Sequence, residues 1–176
     1  MREMTSTKVD VLVILAGAAT ILLMTRNGVW LSPDSVSYIS GARNLAGGQG
    51  LKVFDSISGG GELAPMTQFP PLYPALLALS VVLKADPIRS AGWLNTLLLG
   101  ANLMLVVRVL RALTRSGWMV LFGFLLFWSS IPFFTIHLWA YSEPLFIFLE
   151  LLGLYFLACY LKNGSPAALV STALFV

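Results

Sequence analysis

The chain has 176 residues, of which 57% are hydrophobic and 11% charged, and its mean hydropathy is +0.83. This balance excludes an ordinary soluble globular domain and predicts an all-α integral membrane protein, a multi-span helical bundle. The net charge of +3 comes from scattered basic residues rather than from a basic face. We therefore expect no nucleic-acid partner.

The first apolar run covers residues 11–24. Extended over 9–27 as a helix it reaches about 28 Å, which suffices for a slightly short membrane span. A cleaved signal peptide is the alternative, because the run is short and follows basic residues. No small-residue cleavage pattern follows the run, however, so we expect a span at 9–27.

A polar, glycine-rich segment follows at 28–87 and is expected to form an outer loop. The S-P-D sequence that begins at Ser32 is a typical helix start, and two glycines follow Ala46, so a short helix is predicted between them. Asp34 and Tyr38 are four residues apart and share one face of this helix. We expect the helix to lie in the lipid interface and to present Asp34 at the membrane surface.

The next apolar run, 71–83, is thirteen residues long. As a helix it covers about 20 Å, which is too short to cross a hydrocarbon core of about 30 Å. If it lies on the outer surface, six of the eleven basic residues are cytoplasmic, but only four are if it spans the membrane. The positive-inside rule therefore favours an interfacial helix and a wholly extracytoplasmic outer loop.

The remaining chain predicts three further spans and the start of another. Asp86 and Pro87 signal the beginning of a span over 88–110, on which Asn95 and Asn102 share a face and are expected to hydrogen-bond to another helix. The later spans are predicted at 118–136 and 144–161, and a fifth begins at 167. We interpret 1–176 as the amino-terminal part of a larger transmembrane module.

Polar residues interrupt the chain near the outer end of the third span. A Ser-Ser-Ile-Pro sequence occupies 129–132, and residues 137–142, which include the only histidine, are predicted to form a short outer loop. Ser142 is then expected to cap the fourth span. Glu143 follows it, at the outer mouth of that span.

Three short motifs and a glycine-rich stretch fall on the predicted outer surface: D-S-x-x-Y from Asp34, F-P-P-L-Y-P from Phe69 and Y-S-E-P-L-F from Tyr141. In this arrangement the chain resembles the polyprenyl-phosphate-sugar glycosyltransferases of the GT-C fold, and among them the family of protein mannosyltransferases and lipid A aminoarabinose transferases. The resemblance covers the chain from the first span to the fourth. It implies a cell-envelope transferase of a plasma or inner membrane, with its active site on the extracytoplasmic face.

The resemblance implies a role for two carboxylates. Asp34 matches the acidic residue that the family places after its first span, and would act as the general base that withdraws the acceptor's proton. From its position alone, stabilisation of the helix start is the stronger interpretation. Many relatives carry a second acidic residue directly afterwards, where this chain has Ser35. Glu143 would face the same cavity and bind the donor, in some relatives through a divalent metal, whereas solvation among lipid headgroups is its alternative role.

The phosphate of a departing lipid needs positive charge close by. Lys84 and Arg89 flank the start of the second span and are the candidates, although both are equally suited to anchor the chain in the headgroup layer. Tyr38 and Tyr73 are expected to line the path of the sugar or the lipid, with interfacial anchoring as their alternative role.

Together these expectations describe a glycosyltransferase that takes a sugar from a polyprenyl-phosphate donor in the lipid and passes it to an acceptor that the sequence does not identify. No cofactor is required by the sequence, and a divalent metal at Glu143 stays open. The alternative is a non-catalytic membrane protein that binds or carries a lipid-linked intermediate. An enzyme needs Asp34 to face a cavity with a second acidic group, whereas a carrier needs a continuous polar path across the bilayer.

Overall fold

A computed structural model describes residue 15 and residues 17–26, 28–54, 62–164 and 166–175. These residues are mostly helical, in agreement with the predicted all-α class, and include one pair of short strands. The elements are α1 (helical over 17–24), α2 (Pro33–Ala46), β1 (Lys52–Phe54), β2 (Leu63–Pro65), α3 (Leu72–Val82), α4 (Pro87–Leu113), α5 (Gly117–Trp128), α6 (Ile131–Leu138), α7 (Glu143–Asn163) and α8 (Pro166–Phe175). The predicted first span, 9–27, lies partly outside the described residues.

Two of the described helices, α4 and α7, are long and apolar enough to cross a membrane. The neighbouring helices α5 and α6 pass the same test only together, and their axes are bent by 52° at the break between them. Helix α3 is apolar but has only eleven residues, as its short run predicted. The described chain thus contains two helices able to span a membrane, or three if the bent pair is one span.

Helix α4 is the element on which most of the others pack. Its cap is the predicted one, since the Asp86 carboxylate accepts the N–H of Ile88 at 3.3 Å and Pro87 needs no partner for its nitrogen. Its 27 residues extend over about 40 Å. The first half of α4 packs beside α2 and α3, and the second half runs along α7. A single long helix therefore joins the helical bundle to the layer formed by α2 and α3.

The predicted third span, 118–136, consists of the two helices α5 and α6, and the break between them lies at the serines and proline that the sequence marked. Ser129 donates its N–H to the last turn of α5 at 2.8 Å, whereas the Ser130 hydroxyl accepts an N–H from the first turn of α6 at 3.4 Å. Pro132 has no N–H with which to continue the hydrogen-bond ladder of α5. The predicted loop 137–142 is also shorter than expected, because α6 includes its first two residues.

Two glycines allow α1 to approach α4 closely. A Cβ atom on Gly17 would lie 2.8 Å from a methyl group of Leu103, and one on Gly92 would lie 3.4 Å from Val29. A side chain at position 17 would displace the end of the flexible Leu103 side chain, whereas the distance at Gly92 is an ordinary van der Waals contact. The two contacts place α1 and the segment that follows it beside α4.

The strands β1 and β2 pair in antiparallel register, with Val53 opposite Ala64. The sequence had predicted only loop here. Asn44 at the end of α2 donates its amide to the carbonyl of Lys52 at 2.7 Å, which ties the first strand to the helix. The pair therefore extends the α2 layer.

The segment that follows α1 is held by a second backbone pairing. Trp30 donates its N–H to the carbonyl of Leu138 at 2.8 Å and accepts the N–H of Ala140 at 3.2 Å. The rings of Trp30 and Trp139 meet edge to face, with centroids 5.5 Å apart. This pairing brings the start of α2 beside the corner between α6 and α7.

Candidate functional site

Tyr38 on α2 contacts the residue that precedes α7. Its hydroxyl lies 2.7 Å from the Oγ of Ser142, which is 104 residues away in the sequence. The Tyr38 ring is 4% exposed and contacts Phe69 and Tyr73 edge-on, at centroid distances of 5.0 and 5.2 Å. The F-P-P-L-Y-P motif therefore packs directly on the helix that carries the D-S-x-x-Y motif.

Helix α2 begins in a way that leaves Asp34 available. The hydroxyl of Ser32 accepts the N–H of Ser35 at 3.2 Å and is therefore the cap. Asp34, in the first turn, is exposed and has neither a hydrogen bond nor an ion pair among the described residues. Capping therefore does not occupy its carboxylate, although the helix dipole still favours a negative charge there.

Two carboxylates act on the hydroxyl of Tyr38. Burial is the main cause that raises the pKa of Tyr38 above its ordinary value of 10.0, and Glu143 and Asp34 raise it further, against the hydrogen bond with Ser142. The exposed side chains of Asp34 and Glu143 thus lie within electrostatic reach of the same hydroxyl. We refer to Asp34, Tyr38, Tyr73, Ser142 and Glu143 as the tyrosine–carboxylate cluster.

Tyr73 supplies an unused hydrogen-bond donor to this cluster. Its side chain is 0% exposed, and its hydroxyl has no partner among the described residues. Burial raises the pKa of Tyr73 well above 10.0, and Tyr38 and Glu143 add to the rise, so the hydroxyl keeps its proton at neutral pH. A buried donor without a partner costs about 1–3 kcal/mol of folding free energy, so a buried unpaired hydroxyl is unusual in a protein.

The predicted role of Ser142 as the cap of the fourth span is corrected. Ser142 has helical backbone angles and makes no capping hydrogen bond, because its hydroxyl is bonded to Tyr38 instead. Glu143 does begin α7, as predicted, and Pro144 follows it in the first turn. Ser142 therefore links α7 to α2 and does not cap α7.

The corner between α6 and α7 is fixed by asparagines of α4. Asn95 donates its amide to the carbonyls of His137 and Trp139, at 3.1 and 2.6 Å. Asn102 lies 3.2 Å from the Nε2 of His137 and donates to the carbonyl of Pro144 at 3.1 Å. The predicted interhelical hydrogen bonds of the two asparagines are confirmed. We call Asn95, Asn102 and His137 the asparagine–histidine junction.

His137 was predicted to lie in an outer loop. It is instead buried in the last turn of α6. Its Nδ1 is 2.7 Å from the carbonyl of Phe133, so both ring nitrogens have partners. Among the described residues no three His, Cys, Asp or Glu side chains are grouped so as to hold a metal ion. A divalent metal at Glu143 stays a prediction.

The two predicted phosphate-binding residues are placed apart from this cluster. Arg89 lines a cleft between the end of α1 and the start of α4, and no residue of the tyrosine–carboxylate cluster lines that cleft. Lys84 is exposed in the turn between α3 and α4, with a φ of 60°, and no described contact links it to the cluster. The structure therefore brings Asp34, Tyr38, Tyr73 and Glu143 together but not the two basic residues.

Two residues, one in the cluster and one in the cleft, were not predicted as site residues. Ser142 was assigned only a capping role, and Arg26, which lines the cleft beside Arg89, was counted only as a topology signal. The position of Arg26 directly after the first apolar run was the available clue. Its partner across the cleft is more than sixty residues away in the sequence, so spacing could not reveal the pair.

No family model, no curated protein and no solved structure matches this chain. A function for it has to be argued from its motifs and from the geometry of the tyrosine–carboxylate cluster.

Proposed function

We propose that the chain is the catalytic part of an integral membrane glycosyltransferase that moves a sugar from a polyprenyl-phosphate donor to an acceptor on the extracytoplasmic face. One observation carries the proposal. Asp34 stands one helical turn before the buried Tyr38, and Glu143 directly follows Ser142, whose Oγ is 2.7 Å from the Tyr38 hydroxyl. Two exposed carboxylates from separate elements are thereby placed at one buried tyrosine.

In the proposed reaction the acceptor's hydroxyl or amide attacks the anomeric carbon of the sugar. The bond between that carbon and the phosphate oxygen breaks, and the lipid phosphate leaves with the bonding electrons. Asp34 takes the acceptor's proton as the new bond forms, which is the role of a general base. Its exposure and its lack of hydrogen-bond partners leave the carboxylate free to do so.

The other cluster residues bind the donor in this proposal. Tyr73 donates its free hydrogen bond to an oxygen of the sugar, which removes the cost of its unpaired hydroxyl. Glu143 accepts a hydrogen bond from a hydroxyl of the same sugar. Tyr38 and Ser142 hold α2 against α7, and so fix the distance between the two carboxylates.

The described helices support this placement in a membrane. Helices α4, α7 and the bent pair α5–α6 supply the spans, whereas α2 and α3 pack beside the first half of α4 and are suited to the interface. Arg108 and Arg111 lie near the other end of α4, where the positive-inside rule favours the cytoplasm. The tyrosine–carboxylate cluster then faces the extracytoplasmic side.

Replacement of Asp34 by Asn tests the proposal, because it removes the proton acceptor and keeps the shape of the side chain. We expect turnover to fall about a hundred- to ten-thousandfold, with donor affinity and protein yield unchanged. The measurement is release of polyprenyl phosphate from radiolabelled polyprenyl-phosphate hexoses and pentoses, in membranes that contain the protein and cell-envelope acceptors. Glu62→Gln, a similar change at another exposed carboxylate, is the matched control.

Two outcomes would overturn the proposal. If wild-type membranes release no polyprenyl phosphate from any donor yet bind the donors, a non-catalytic role in binding or carrying a lipid-linked intermediate replaces it. If Asp34→Asn retains full turnover, the aspartate is not the base and only stabilises the start of α2.

A further inference from the structure

A cleft of about 820 Å³ opens between the end of α1 and the start of α4. This volume lies within the range of about 300–1,000 Å³ that is typical of ligand pockets. The proposed transfer reaction does not use the cleft, because none of its lining residues belongs to the tyrosine–carboxylate cluster. The cleft therefore needs an explanation of its own.

The charge of the cleft favours an anion. Arg26 at the end of α1 and Arg89 in the first turn of α4 both line it, and neither has an ion pair or hydrogen bond among the described residues. The one acid in the lining, Asp86, is already engaged, since it caps α4 and lies 4.0 Å from the guanidinium of Arg43. Two arginines thus remain without a counter-charge, at a helix start where the dipole also favours a negative ligand.

Apart from Thr25, the rest of the lining is apolar. Trp93 is 63% exposed and Leu22 is 37% exposed, and Val29 and Ile88 also line the cleft. Leu22 stands on α1 and Trp93 on α4, which is long and apolar enough to span a membrane. A small hydrophilic anion would use the arginines and leave this apolar surface uncovered. An anion that carries a hydrocarbon chain would use both.

We propose that the cleft binds the phosphate group of an anionic membrane lipid. Arg26 and Arg89 hold the phosphate oxygens, and Leu22 and Trp93 contact the hydrocarbon chain. Guanidinium groups match phosphate geometry through two parallel hydrogen bonds, which suits a pair of free arginines to this ligand. The inference stands apart from the transferase proposal, because a binding measurement needs neither a sugar nor an acceptor.

The test is a lipid titration of the purified protein in dodecyl maltoside, read by native mass spectrometry. Dioleoylphosphatidic acid is compared with dioleoylglycerol, which has the same chains without the phosphate, and with inorganic phosphate, which has no chain. We expect saturable binding of one phosphatidic acid, with weaker binding of the other two. Arg26→Gln and Arg89→Gln should each weaken it about ten- to a hundredfold, and the double variant should bind phosphatidic acid no better than dioleoylglycerol.

Control variants separate this site from general charge effects and from misfolding. Arg108→Gln removes an exposed arginine of the same helix outside the cleft and should leave the affinity unchanged. Arg89→Lys keeps the charge and should retain part of the affinity even if the glutamine variants are unstable. Trp93→Ala should weaken phosphatidic acid and dioleoylglycerol by the same factor, since it removes only a contact with the chain.

Three results would overturn the proposal. The first is equal affinity for phosphatidic acid and dioleoylglycerol, and the second is an equal effect of Arg89→Gln and Arg108→Gln. The third is inorganic phosphate binding as tightly as phosphatidic acid, because the cleft would then be a site for a free anion and not for a lipid.

Discussion

Two polar groups of residues lie within the apolar packing of this protein, and they differ in how their hydrogen bonds are used. In the asparagine–histidine junction, each asparagine amide nitrogen donates to the α6–α7 corner and both ring nitrogens of His137 have partners. In the tyrosine–carboxylate cluster, the hydroxyl of Tyr73 has no partner among the residues that the structure describes, and Asp34 and Glu143 are exposed. The first group holds elements together, whereas the second includes polar groups that form no hydrogen bond within the described structure.

The difference shows which buried polar groups to interpret as functional. Both asparagines leave an amide oxygen without a partner, so a missing bond alone does not identify a ligand site. What distinguishes the cluster is that its unpaired group can donate a hydrogen bond, and that the ring of Tyr73 contacts Tyr38, which is one turn from the exposed Asp34 and bonded to the neighbour of the exposed Glu143.

The largest effect that the comparison predicts is on folding. Asn95→Leu leaves the buried carbonyl of His137 without a donor, at a cost of about 1–3 kcal/mol, whereas the carbonyl of Trp139 keeps the N–H of Tyr141. We expect a loss of about 1–3 kcal/mol in the free energy of unfolding, measured by SDS titration in dodecyl maltoside. Leu97→Ala, at an exposed position on the same helix, is the control. A loss no larger than that of the control would mean that the junction is not structural.

A change of the opposite sign is predicted at Tyr73. Tyr73→Phe removes a buried hydroxyl without a partner and keeps the ring, so the free energy of unfolding at neutral pH should rise by about 1 kcal/mol. Donor affinity should fall at the same time, because the proposed hydrogen bond to the sugar is lost. A variant that is less stable than the wild type would show that the hydroxyl already has a structural partner.

The same substitution should change the stability at alkaline pH. Above pH 10 the unfolded state loses the Tyr73 proton while the folded protein keeps it, because burial raises the pKa of Tyr73. The unfolded state then binds fewer protons, so the stability that is fully present below pH 10 is lost as the pH rises, by about 1.4 kcal/mol per pH unit. Tyr73→Phe should reduce this slope between pH 10 and 12, whereas Tyr160→Phe, at the far end of α7, should not. Equal slopes in both variants would contradict the burial of Tyr73.

The smallest effect concerns the contact that joins α2 to α7. A double-mutant cycle of Tyr38→Phe and Ser142→Ala should give a coupling of about 0.5–1.5 kcal/mol in the free energy of unfolding, as for a single neutral hydrogen bond. A cycle of Tyr38→Phe with Ser129→Ala, a serine at the α5–α6 break, is the reference and should show no coupling. Equal coupling in the two cycles would mean that Ser142 is not the partner of Tyr38.

Local chemistry made much of the helical structure predictable. The caps at Ser32 and Asp86 and the Ser-Ser-Ile-Pro break at 129–132 are decided by residues within one turn, and all three were marked in the sequence. The strands β1 and β2 were missed because three-residue strands gain their stability from pairing, which sequence patterns over a few residues do not show.

The site was predictable in part for the same reason. The spacing of Asp34 and Tyr38 placed them on one face of α2, and both act in the cluster. The partner of Tyr38 was not predictable, because Ser142 stands 104 residues away and only the tertiary fold brings it close. The position of Ser142 suggested that it caps α7, but its hydroxyl is hydrogen-bonded to Tyr38 on α2 instead.

The backbone pairing of Trp30 with the segment around Trp139 sets an order for biosynthesis. The ribosome makes Trp30 more than a hundred residues before Ala140, an interval of roughly 5–20 s at typical translation rates. During that interval the peptide groups of Trp30 lack the partners they have in the finished protein, and α2 is not yet anchored at its start. Closure of so long a loop is also entropically slow. The protein therefore assembles its tyrosine–carboxylate cluster only after α6 has been made, and the backbone of Trp30 is without its pairing partner until then.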